Sequence, residues 1–133
     1  MQKIEHIGIA VKDLDKAEAI YSAILNTPSY KREIVESEKV ITSFFQNGPN
    51  KIELLAATDE ESVIHTFITK KGEGIHHIAF AVDDIYKEME RLQLAGFTLL
   101  NEKPKRGADN KLICFLHPRD ASGVLIELCQ EIN

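Results

Sequence analysis

Four residues of types that bind metal ions or move protons recur at matched places in the chain: His6, Glu53, His77 and Glu127. His6 stands in Glu5-His6-Ile7-Gly8-Ile9-Ala10-Val11-Lys12-Asp13-Leu14, and His77 in Gly74-Ile75-His76-His77-Ile78-Ala79-Phe80-Ala81-Val82. Shifted by 71 residues, His6, Ile7, Ala10, Val11, Asp13 and Lys16 fall on His77, Ile78, Ala81, Val82, Asp84 and Lys87. Shifted by 74, Lys51-Ile52-Glu53-Leu54-Leu55 falls on Leu125-Ile126-Glu127-Leu128-Cys129. Two imidazoles and two carboxylates form a mixed nitrogen and oxygen donor set. Such a set suits a divalent ion of intermediate hardness, cobalt, manganese, nickel or zinc, with positions left for water or substrate oxygens. A lone strand histidine is usually packed or solvated, and a lone strand glutamate is usually surface. Their recurrence together, with Gly8 and Ala10 or Ala79 and Ala81 as small neighbours, favours a site.

The elements that position them follow from periodicity. From Ile4 to Val11 the chain alternates: Ile7, Ile9 and Val11 point one way, and His6, Gly8 and Ala10 the other, which predicts a strand with open space around the imidazole. Asp13 or Asp15 offers an N-cap, and Leu14, Ala17, Tyr21, Ile24 and Leu25 predict a helix ending at Asn26-Thr27-Pro28. Strands follow near 30–36, 40–46 and 51–57, with Asn47-Gly48-Pro49-Asn50 as a turn. Thr58-x-x-Glu61 reads as a capping box before a linker helix carrying Val63, Ile64, Phe67 and Ile68. The pattern then restarts: a strand with His77 on its small-residue face and His76 on its bulky one, a helix capped by Asp84 and stopped at Gly96, and strands near 97–101, 112–116 and 124–129. Glu102–Asn110, with Lys103, Lys105 and Arg106, reads as an exposed basic loop.

The expected fold is therefore α+β, two tandem βαβββ modules forming one curved mixed sheet around a metal-binding cleft. Module one spans about 1–57, the linker helix about 58–72 and module two about 73–133, and 133 residues make one domain of them. A net charge of −5 argues against nucleic acid or an anionic membrane as partner. No apolar run reaches membrane-spanning length and no signal peptide is apparent, so a cytoplasmic protein is expected. Cys114 and Cys129 read as buried and reduced. His65 and His117 read as surface and loop residues, and the Lys70-Lys71 pair as solvated. No phosphate-binding glycine loop, dinucleotide fingerprint or nucleophile elbow is present.

The wording of these segments resembles the vicinal oxygen chelate superfamily, and within it the methylmalonyl-CoA epimerase family. The likeness rests on Ile4–Val11, Lys51–Leu55, Gly72-Glu73-Gly74-Ile75-His76-His77-Ile78-Ala79-Phe80, Phe115-Leu116-His117-Pro118 and Gly123–Leu128, and covers nearly the whole chain. The resemblance implies a divalent metal, cobalt first among those named, held by His6, His77 and Glu127, with Glu53 at a fourth position that is Gln in some members. It implies an acyl-CoA enzyme that epimerises methylmalonyl-CoA at C2, with Glu53 and Glu127 as acid–base groups. A homodimer is expected because such sheets leave strand edges and a helix face to cover. Some members carry a base-candidate glutamate on an inner strand of the first module; the matching position here is Thr42. A glyoxalase-I-type lyase, an extradiol dioxygenase and a sequestering protein of the same fold are the competing expectations.

Overall fold

The computed structural model describes residues 2–133 and is mixed α+β, with eight strands and three helices. In order these are β1 (Lys3–Ala10), α1 (Leu14–Leu25), β2 (Lys31–Val35), β3 (Val40–Asn47), β4 (Asn50–Ala57), α2 (Val63–Lys71), β5 (Gly74–Ala81), α3 (Ile85–Leu94), β6 (Lys105–Gly107), β7 (Lys111–Leu116) and β8 (Ile126–Glu131). The chain contacts divide into two compact units, one of His6–His76 and one of the residues up to Glu5 with His77–Asn133. No helix among the described residues is long and apolar enough to cross a membrane.

In the His6–His76 unit the strands run in the order β2-β3-β4-β1, with β1 and β4 parallel and the others antiparallel. Strand alternation sends successive side chains to opposite faces. One face packs Ile9, Val11, Phe45 and Leu54 under Leu14, Ala17, Tyr21 and Leu25 of α1. The other packs Ala10, Val40 and Leu55 under Ile64, Phe67 and Ile68 of α2. The expected inward Ile24 is exposed, because it falls beside the stripe made by Leu14, Ala17, Tyr21 and Leu25. Asp13 caps α1 by accepting from the Lys16 amide, and Asn26 closes the helix in the left-handed conformation before Pro28 is reached.

The capping box expected at Thr58 is not the cap. Ser62 caps α2, its hydroxyl accepting from the Ile64 amide at 3.2 Å. The Asp59 carboxylate accepts from the Glu61 amide at 2.8 Å. That local bond folds the 59–62 segment into a turn and delays the helix. Val63, expected on the apolar face, is exposed.

The second unit orders its strands β5-β8-β7-β6, with β5 and β8 parallel. Asp84 caps α3, and Ile85, Met89 and Leu92 pack with Val82, Cys114, Leu116 and Leu128 on one sheet face. Ala79, Ile113 and Cys129, with Phe115, form the other. Two expectations change here. The segment 97–101 makes one isolated bridge, Leu99 to Leu116, rather than a strand. Lys105, Arg106 and Gly107, expected in an exposed loop, form β6 against β7. The physical cause lies in Asp109 and Asn110, whose positive φ of 60° and 54° reverses the chain into a hairpin, a conformation Asp and Asn tolerate.

Candidate functional site

Each unit builds the same pair of residues by the same strand register. In the parallel β1–β4 ladder Gly8 lies opposite Glu53, so His6 and Glu53 project diagonally from one face with no side chain between them. His6 Nδ1 lies 3.1 Å from Glu53 Oε2. In the parallel β5–β8 ladder Ala79 lies opposite Glu127, which repeats the diagonal. His77 Nε2 lies 3.4 Å from Glu127 Oε1. All four residues are buried, at 4% to 5% exposure. The expectation of open space around His6 is therefore not met. Small strand neighbours do not leave a face uncovered when a helix lies across it, and α2 covers Ala10, four residues along on the same face.

The chemistry of each pair can be tested against a bound cation. Ligand bonds of about 2.0–2.2 Å at right-angled to tetrahedral separations bring neighbouring donor atoms to roughly 3.0–3.4 Å apart. Both pairs stand at that spacing, and 3.4 Å exceeds the reach of a strong charge-assisted hydrogen bond. A buried imidazole beside a buried carboxylate offers one nitrogen and one oxygen donor per unit. The residues fit a divalent ion.

An aromatic ring backs each carboxylate. Phe44 lies across the β3–β4 ladder from Glu53, and Phe115 across the β7–β8 ladder from Glu127. The Phe115 ring meets the His77 ring edge-on, with centroids 5.9 Å apart and planes at 90°. Sequence reading passed over both, although Phe44 and Phe115 stand 71 residues apart, the spacing of the two histidines. Lys51 was also passed over. It is the register partner of His6 and lies two residues before Glu53, on the same face.

The remaining polar candidates have other work. His76 rests edge-on against Phe67 of α2 at 5.0 Å, and burial, aided by the Lys71 charge, lowers its pKa to about 4, so it is neutral at physiological pH. His117 caps a single helical turn at Pro118–Asp120, its Nδ1 accepting from the Arg119 amide at 3.1 Å. His65 is exposed on α2. Cys114 and Cys129 are free and buried on opposite faces of the second sheet, as the register Ile113 to Cys129 and Cys114 to Leu128 requires. Desolvation pushes the Cys114 thiol up. Thr42 is buried, and its neighbour across the β2–β3 ladder is Glu33. Beyond Cys129 a cavity of about 320 Å³ is lined by Lys111 and Glu131 among others. The Lys111 ammonium there lies 3.4 Å from Glu131 and 3.7 Å from Asp109.

Comparison with known proteins places this arrangement among relatives. Residues 5–115 match the Glyoxalase/Bleomycin resistance protein/Dioxygenase superfamily. The chain is 40% identical to an ethylmalonyl-CoA/methylmalonyl-CoA epimerase of Cereibacter sphaeroides, over 96% of this chain and 97% of that protein. It is 38% identical to an uncharacterized protein of Bacillus subtilis, over 98% and 93%. The crystal structure of methylmalonyl-CoA epimerase from Mycobacterium tuberculosis superposes with a TM-score of 0.93 at 37% identity, over 98% of this chain and 88% of that one.

Proposed function

We propose that this chain, which belongs to the Glyoxalase/Bleomycin resistance protein/Dioxygenase superfamily, is an isomerase that epimerises methylmalonyl-CoA at C2. The observation that carries the reading is the duplicated pair, His6 with Glu53 and His77 with Glu127, each buried and each at donor spacing. The substrate class comes from epimerases similar to this chain over nearly their whole length.

In this reading His6, Glu53, His77 and Glu127 hold a single divalent cation, with cobalt the first to test and manganese, nickel or zinc next. The cation, when bound, supplies Lewis-acid stabilisation of the negative charge that develops as C2 loses its proton. The residues do the rest. C2 lies between a thioester and a carboxylate, so its proton is acidic enough for a carboxylate base acting at close range. Glu53 and Glu127 each present a carboxylate oxygen to an imidazole. We assign the two carboxylates to proton transfer, one glutamate removing the proton from one face of C2 and the other returning it to the opposite face. The imidazoles fix the carboxylates in place, and the Phe44 and Phe115 rings exclude water beside them.

The acyl-CoA enzyme is placed in the cytoplasm and read as a homodimer. Support for the dimer is β2, the outermost strand of its unit, whose Ile34 is exposed. Cobalt-loaded protein in heavy water is expected to exchange the C2 proton of methylmalonyl-CoA for deuterium, and His77→Ala to abolish the exchange. Absence of exchange together with turnover of a glutathione hemithioacetal would move the assignment to a glyoxalase-type lyase.

A further inference from the structure

We infer that Lys51 is the specificity-determining residue for the substrate's free carboxylate, an assignment that rests on the acyl-CoA reading above and adds a recognition element to it. The parallel register sets Lys51 directly beside His6, and strand alternation puts it on the face of Glu53 two residues on. Adjacent strands lie about 4.8 Å apart, so the register sets Lys51 on the strand next to His6 and on the same sheet face. Lys51 is half-buried, which keeps its charge effective at short range.

Charge balance supplies the reason. Two carboxylates among the four candidate ligands already match the charge of a divalent ion. A substrate carrying its own carboxylate, and gaining further negative charge as C2 is deprotonated, therefore needs an additional cation. A chain of net charge −5 offers no general positive field for that purpose. Lys51 is a cation that the strand register fixes next to the pair. In the second unit the position matching Lys51 is Leu125, so the charge is delivered to one side only. That asymmetry suits a substrate with a carboxylate at one end of the reacting carbon and a thioester at the other.

The test uses two thioesters that differ only in that carboxylate, methylmalonyl-CoA and propionyl-CoA, titrated calorimetrically into cobalt-loaded protein. Wild-type protein is expected to prefer methylmalonyl-CoA. Lys51→Gln and Lys51→Met, the second keeping an unbranched apolar stem, should weaken methylmalonyl-CoA by roughly 10–100-fold while leaving propionyl-CoA within about threefold. Lys51→Arg should restore most of the preference. Removing a cation beside the ligand set should at the same time tighten cobalt binding severalfold, opposite in sign to the effect of general damage. Equal weakening of both thioesters, or a preference that survives in Lys51→Gln and Lys51→Met, overturns the role of Lys51 and leaves the epimerase reading standing. Wild-type protein that binds neither thioester overturns that reading and this inference with it.

Discussion

Phe44 lies directly across the β3–β4 ladder from Glu53, is fully buried, and has the Lys31 ammonium 4.8 Å above its ring and Tyr30 at 6.0 Å. The ring thus carries packing and shields a carboxylate together. Phe44→Ala is expected to cost about 3–5 kcal/mol of stability, and Phe44→Leu less than half of that. Urea unfolding midpoints check both. A Phe44→Ala protein as stable as wild type would remove the ring from the core.

The two imidazole–carboxylate pairs are expected to act on one cation. Single substitutions His6→Ala and His77→Ala should each lower retained cobalt after dialysis, by about 100-fold in affinity for the loss of one donor. The double substitution should cost little more, because donors to a common ion are not additive. Elemental analysis of the dialysed proteins gives the answer. Two separate ions, each lost independently, would show additive losses.

Ser62, not Thr58, holds the start of α2. Ser62→Ala should destabilise by about 1 kcal/mol, whereas Thr58→Ala should be near neutral. Thermal unfolding of the pair distinguishes them, and the reverse ranking would restore the capping box.

The Arg32 guanidinium, bonded to Glu18 at 2.7 and 2.8 Å, holds the Glu18 carboxyl below its ordinary value of 4.5. A carboxylate depressed on folding contributes stability that is fully present above that value and is lost as pH falls through the lower, folded one. Glu18→Gln should therefore be less stable than wild type at neutral pH, by less than about 1 kcal/mol for a pair at the surface. The difference should close in acid. Chemical denaturation in neutral and in acidic buffer tests the sign, and a gap that widens in acid would refute it.

Cys114 and Cys129 face opposite sides of one sheet and are expected to stay unreactive toward thiol reagents in native protein, then to react together on unfolding. Rapid labelling of native protein would show that one of these faces opens.

Much of this architecture is written in short-range pattern. Asp13 and Asp84 cap their helices where the apolar stripes begin, and the Asn47–Asn50 turn closes the β3–β4 hairpin. The failures are equally local in origin. Thr58 and Glu61 have the spacing of a capping box, but Asp59 competes for the same amide. Lys105 and Arg106 look solvated by composition, yet a left-handed Asp109-Asn110 reversal zips them onto β7.

The chain by itself determined that a unit is repeated and that His6, Glu53, His77 and Glu127 occupy its repeated places, because period-two alternation and a constant offset are visible along one dimension. Which residues stand beside one another across strands was decided only in three dimensions. The partnership of His6 with Lys51, of Glu53 with Phe44 and of Glu127 with Phe115 depends on ladder register, and register follows from burying one whole face of each sheet at once.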